Sequence, residues 1–287
     1  MERVLYLPII LTGIAVSLFV LERFAPLRTA KHALIGRLFI NLCISALAFI
    51  VAAIVVRPAA LSALRLASQT SFGLLQVLNM PTALQSALGF LLLDLTFYYW
   101  HLANHQVPWL WRFHNVHHID PDLDVTTAFR FHAGEITLSA GFRFVQVLLI
   151  GGPIGIYVAY ELLFQGNTLF HHSNVRLPIA VERLLDRVLV TPRMHGIHHS
   201  QVYGETNSNF SVVFPWWDWL HSTLRLNIPQ AQIAIGIPGY SLPRDNALRN
   251  ALVMPFRSQR DYWRGPDDTV VVREPAAMAG DRTHLAA

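Results

Sequence analysis

Two stretches of this chain carry no charge over nearly the thickness of a bilayer: Val4–Leu21 and Leu38–Val56, the second bracketed by Arg37 and Arg57. A helix needs about 20 apolar residues to cross the hydrocarbon core. Without water, backbone N–H and C=O groups must pair within the segment, so such runs demand helices. Leu66–Leu93 and Phe144–Tyr160 are also uncharged. With 53% hydrophobic and 14% charged residues, the 287-residue chain is too apolar for an ordinary soluble domain.

The expected fold is therefore all-α: a multi-pass membrane helical bundle of about three spans plus a helical hairpin, under a cytoplasmic histidine-rich di-metal cap. Val4–Leu21 reads as an uncleaved first span, because Glu22-Arg23-Phe24 follows instead of a small-residue cleavage site. Span two covers about 38–56, and span three runs from Thr82 through Trp100. The connection 57–80 suits an amphipathic helix on the membrane surface. Within the apolar segment 136–166, Gly151-Gly152-Pro153 marks the bend of a hairpin that enters and leaves on one side. The basic loop holding Arg23, Arg28, Lys31 and Arg37 places that side in the cytoplasm. Three regions follow: 1–80 with the first spans, 81–225 as the catalytic region, and 226–287 as a C-terminal extension. The polar tail from about 256 reads as frayed.

The net charge of +4 fits loop charges on a membrane protein, and nucleic acid is not an expected partner. The single cysteine, Cys43, excludes an intrachain disulfide and a cysteine-ligated iron–sulfur cluster.

Histidine is the anomaly, with 14 residues. HLANH holds His101 and His105; HNVHH holds His114, His117 and His118; HGIHH holds His195, His198 and His199. At this abundance one H-x-x-H-H arises by chance in roughly 3% of such chains, and two far more rarely. Spacings of three and four share a helix face, so one turn can aim three imidazoles at nearly one place. Thr191-Pro192 is a helix start before the second motif, and Asp120-Pro121 ends the helix after the first. Imidazole suits zinc, copper, iron and nickel. Eight histidines exceed what one such ion takes, so two metals are expected. H-E-x-x-H and E-x-x-H are both absent, against a zinc protease of that type and a soluble carboxylate-bridged di-iron bundle. Asp94, a carboxylate within a span, is a candidate acceptor for an imidazole N–H or the start of a polar path; the bland reading is a partner for a Tyr or Trp in the bundle.

In this order and spacing the clusters resemble the fatty acid hydroxylase/sterol desaturase superfamily of integral-membrane di-iron oxygenases. The resemblance covers roughly residues 85–225, through LDLTFYYWHLANHQVPWLWRFHNVHH, TTAFRFHAGE, FQGNTLFHHSN, TPRMHGIHH and NFSVVFPWWDWLHST. It implies two Fe ions, O2 as co-substrate, and hydroxylation or desaturation of a lipid C–H bond. It implies His101, His105, His114, His117, His118, His195, His198 and His199 as ligands, with His172 added from HHSN. His171, His132 and Asn209 are auxiliary candidates, Asn209 and Asp218 as groups that orient the cap; His221, His32 and His284 are expected to bind no metal. The chain has no G-x-G-x-x-G fingerprint, so electrons are expected from a ferredoxin- or cytochrome-type donor. Arg176, Arg183, Arg187 and Arg193 suit an acidic donor or anionic headgroups equally. Phe97-Tyr98-Tyr99-Trp100, with Trp109 and Trp111, are candidates to line the mouth of a substrate slot; for the tryptophan pair an interfacial belt is the favoured alternative. Competing readings of the same clusters are a membrane metal-dependent hydrolase and a metal-binding or transport protein; ligands at one membrane face disfavour transport.

Overall fold

The first two uncharged runs form helices, and the other two are helical with breaks. A computed structural model describes residues 2–78 and 80–273. Helices α1 (Glu2–Phe24) and α2 (Leu34–Val51) are followed by a π turn, Ala52–Val56, that leads into α3 (Arg57–Thr70) and the short α4 (Leu74–Val77). The π turn sits just before Pro58, which has no N–H to give to the α ladder; a widened turn absorbs the missing bond. Next come α5 (Thr82–Gln106), α6 (Pro108–His118), α7 (Ala133–Ile150) and α8 (Ile154–His172). Short helices build the cap: α9 (Ile179–Leu185), α10 (Pro192–His198), α11 (Tyr203–Thr206), α12 (Trp216–Leu220) and α13 (Leu248–Val253). Among the described residues there is no β-strand, only isolated bridges such as Ser200 with Ile235.

Two stretches among the described residues are long and apolar enough to cross a membrane, Leu34–Val77 and Ala133–Ile150. Helix α3 forms where an amphipathic surface helix was expected, but its small-residue face is not free. Ala60, Ala63 and Ala67 are buried, and the first two pack with Val147 of α7. Alanine lets the two backbones approach closely.

The bend at Gly151–Pro153 returns the chain to the side it left. Helix α7 begins at the histidine cluster, α8 ends there, and between them Arg143 of α7 pairs with Glu161 of α8. Gly151 (φ 65°) and Gly152 (φ 113°) take backbone conformations that side chains disfavour. Gly73 (φ 112°) approaches so closely that a Cβ on it would lie 2.7 Å from the Gly151 Cα.

The loop after α6 is pinned to α2 by Asp120. Its carboxylate accepts from Arg37 at 2.8 and 3.0 Å, from Asn41 at 2.8 Å and from Thr127 at 2.7 Å. Burial pushes the Asp120 carboxyl up, but the Arg37 and Arg130 guanidinium groups outweigh it and hold it at about 2.

From 256 to 273 the tail does not fray, and residues 274–287 lie outside the described residues. Trp263 stacks on Trp111 at 6.2 Å, Phe256 packs edge-on against Phe113, and Arg273 makes two bonds to Glu205, of 2.8 and 2.7 Å. The polar pattern hid these anchors because each is a single aromatic or arginine without periodicity. His284 lies outside the described residues.

Candidate metal centre

Helix starts and stops aim the histidines. Thr191 caps α10, its hydroxyl accepting from the Met194 N–H, with Pro192 in the first turn. Pro108 opens α6 in the same way. The C-terminal ends of α5, α6, α8 and α10 then converge, carrying His101 and His105, His114 to His118, His172, and His195 to His199.

Nine histidines meet in two groups. His101, His105, His114, His118 and His198 form one; His117, His172, His195 and His199 form the other. Within each, the ligand atoms lie within 4.8 Å of one another. Each H-x-x-H-H motif is divided between them. In the first, His114 and His118 go to the five-histidine group and His117 to the other. In the second, His195 and His199 go to the four-histidine group and His198 to the other. The expectation that one turn aims all three at one place therefore fails. Positions i and i+4 lie about 40° apart and share a direction, whereas i+3 falls about 100° from i+4, toward the neighbouring centre. The groups abut, with His118 and His199 stacked at 4.3 Å.

Backbone carbonyls and one carboxylate fix the rings. His101 Nδ1–H donates to Phe210 O at 2.7 Å, His198 to Ser208 O at 2.7 Å, and His172 to Thr168 O at 2.8 Å. His114 Nδ1–H donates to Glu135 Oε1 at 2.9 Å. In each ring this leaves Nε2 with a lone pair aimed into the cluster. In the four-histidine group the Nε2 atom of His172 lies 3.0 Å from that of His117 and 2.9 Å from that of His195; the His195 and His199 Nε2 atoms are 3.1 Å apart. Metal–imidazole bonds of about 2.1 Å put neighbouring ligand nitrogens roughly 3 Å apart, so this spacing fits a shared cation. In the other group the Nε2 atoms of His114 and His198, and both ring nitrogens of His105 and His118, are buried without a partner. Buried polar atoms without partners are costly, and a bound cation would satisfy them.

Burial, then the neighbouring imidazoles, push His117, His118, His195, His198 and His199 well below the usual imidazole range. They are neutral at pH 7 and free to ligate. The surroundings are dry: Phe131 stacks on His117 at 4.6 Å, and Trp111 and Phe210 flank His105 at 4.8 and 5.2 Å. Trp111 is thus part of the cluster wall and not of an interfacial belt, while Trp109 is half exposed.

The auxiliary candidates divide. Asp94 touches no imidazole; it accepts from Tyr160 Oη at 3.0 Å, Trp217 Nε1 at 2.8 Å and Phe214 N at 3.1 Å, the bland reading of a carboxylate in a bundle. His132 caps α7: Nδ1 accepts from Gly134 N at 2.9 Å and Nε2–H donates to Leu252 O at 3.0 Å, so neither nitrogen is left for a metal. His171 lies beside His195, ring centres 4.1 Å apart, but its Nδ1 meets the Asn167 amide at 3.3 Å and it joins neither group. Asn209 donates to Met194 O at 2.9 Å and to Arg225 O at 2.8 Å, and Asp218 accepts from Phe210 N and Ser211 N at 2.8 Å each; both orient the cap. His221 bonds Tyr99 Oη at 2.8 Å, and His32 bonds Asp122 at 3.2 Å. Glu135 was not foreseen. Its one sequence signal is a lone carboxylate at the head of the apolar run 136–150.

Residues 86–223 match the fatty acid hydroxylase family. The chain is 30% identical over 159 residues to ornithine lipid hydroxylase of Rhizobium tropici, covering 55% of this chain and 47% of that protein. It is 30% identical over 138 residues to human cholesterol 25-hydroxylase, covering 47% and 49%, and 27% identical over 136 residues to human alkylglycerol monooxygenase, covering 47% and 29%. The matches thus span about half of the first two relatives and less than a third of the last. No solved structure matches the chain. The histidine clusters, the nitrogen geometry and these relatives agree: this chain belongs to the superfamily of fatty acid hydroxylases and sterol desaturases.

Proposed function

We propose that the chain is a membrane hydroxylase that uses two irons, O2 and electrons from a separate donor to oxidise a C–H bond of a lipid. The observation that carries this reading is the division of nine histidines into adjacent groups of five and four. His101, His105, His114, His118 and His198 hold one iron, and His117, His172, His195 and His199 hold the other. Two bound irons with O2 supply the oxidant that a C–H bond requires. The protein does the rest. Phe210, Ser208 and Thr168 carbonyls and the Glu135 carboxylate lock ring tautomers, and Phe131, Trp111 and Phe210 exclude water. Hydroxylation is favoured over desaturation because the named relatives are hydroxylases and a monooxygenase. We place the cluster on the cytoplasmic side of three spans and a hairpin, supported by the basic α1–α2 loop.

The test is metal content and Mössbauer spectroscopy of iron-57-labelled protein purified without a chelating tag. Two coupled irons per chain and O2-dependent lipid hydroxylation are expected. One zinc, or turnover without O2, would turn the reading to a hydrolase.

A further inference from the structure

The metal centre leaves unexplained an apolar surface beside it. On and after α9, Leu184 is 66% exposed and Val188 47%; on α12, Trp219 is 73% and Leu220 61% exposed. Arg183 on α9 and Arg187 just after it are exposed, as is Arg176 just before α9. The two pieces are one surface: Trp216 Nε1–H donates to Arg187 O at 2.7 Å, and Val190 N–H to Val213 O at 2.9 Å.

Depth decides what covers it. Phe214 and Trp217 bond Asp94, which precedes His101 on α5 by seven residues, about 10 Å at 1.5 Å per residue. At that level Gln146 of α7 donates to Leu93 O and Thr96 Oγ1. Gln146 belongs to the last turns of Ala133–Ile150, one of the stretches able to cross a membrane. Residues 214–217 therefore lie alongside the last turns of a candidate span, and 218–221 run from there back toward the cluster, where Asp218 holds Phe210 N and His221 meets Tyr99. A water-facing loop there would expose tryptophan and leucine at the depth of acyl chains.

We propose that α9 and the 212–220 segment form a wedge that inserts into the leaflet beside the histidine cluster. Leu184, Trp219 and Leu220 sit among acyl chains, and Arg176, Arg183 and Arg187 bind the phosphates of anionic phospholipids. Leucine and tryptophan interleaved with arginine are the composition of an interfacial helix, and an acidic protein partner would leave the leucines unexplained. The electron donor must then dock elsewhere on the cap. The proposal is independent of the reaction assigned to the metals.

In a Cys43→Ser background, bimane labels are placed at Leu184→Cys and Leu220→Cys, with Val16→Cys on α1 and Asp268→Cys in the cap as references. The metal-loaded protein is placed in nanodiscs of phosphatidylglycerol and phosphatidylcholine. Positions 184 and 220 should be quenched several-fold more by doxyl-labelled lipid than by iodide, as at 16. Quenching mainly by iodide, as at 268, overturns the insertion. Native mass spectrometry of R176Q/R183Q/R187Q should show fewer retained phosphatidylglycerol molecules than the unsubstituted chain. Equal retention overturns the headgroup assignment.

Discussion

Glu135 shows how much one side chain outside the histidine set controls. Its carboxylate, 2.9 Å from His114 Nδ1, decides which nitrogen of that ring faces the cluster. Glu135→Ala is expected to weaken metal binding by about 10- to 100-fold, the usual effect of losing such an orienting group. Glu135→Gln, whose amide oxygen still accepts from Nδ1–H, should keep most of the affinity. Metal titration of the two variants checks this, and equal binding by Glu135→Ala and the unsubstituted chain would count against the role. The ring charges set a pH dependence for the metal-free protein. His117, His118, His195, His198 and His199 are held neutral by burial, whereas in the unfolded chain they protonate near 6.5. Below that pH the unfolded state binds more protons than the folded one, so stability falls as pH drops and levels off above about 7. Thermal midpoints of metal-free protein across about pH 5–8 should rise and then plateau; a flat profile contradicts the burial of the neutral rings.

At the scale of elements, the two H-x-x-H-H motifs are not equivalent. Gly196 stands where the first motif has Asn115. The Arg28 guanidinium lies across α10 at this point, bonding Pro192 O at 3.2 Å and Gln230 Oε1 at 2.6 Å. A Cβ on Gly196 would lie 2.2 Å from Arg28 Nη1. Gly196→Ala should therefore cost about 1–3 kcal/mol, as overpacking does, and loosen His195, His198 and His199 together. A paired loss of thermal stability and bound metal is the expected result; retention of both would show that Arg28 moves aside freely. The motif itself was legible in the sequence, because periods of three and four are local. The reason for its glycine was not, since the group that fills the space lies far away in the chain.

Across the whole molecule, metal and cap close the same structure. Four helix ends bring neutral imidazoles together at a cost in desolvation, so bound metal should stabilise the fold. Chelation in detergent is expected to lower the thermal midpoint, and ferrous iron under anaerobic conditions to restore it. An unchanged midpoint would mean that the cluster is held by packing alone. The C-terminal segment adds a second closure through Trp263 on Trp111, which itself flanks His105 and His118. Trp263→Ala should cost about 1–2 kcal/mol and speed metal loss, measurable as the rate of iron release to a chelator.

By itself the sequence determined that the chain is helical, where the hairpin bends, and which eight histidines of the three clusters gather; the ninth, His172, came only from the family resemblance. Charge-free runs, Gly-Gly-Pro and i, i+3, i+4 spacing act within one helix or turn, where position in the chain fixes position in space. Only the tertiary structure decided how each motif divides between two centres, that Glu135 and not Asp94 or His132 orients a cluster imidazole, and that the tail from 256 packs on the cap through 273. These outcomes depend on contacts between segments tens to hundreds of residues apart, which no local period encodes. They are set by which helix ends meet when the apolar faces and the Asp120–Arg37 anchor come together.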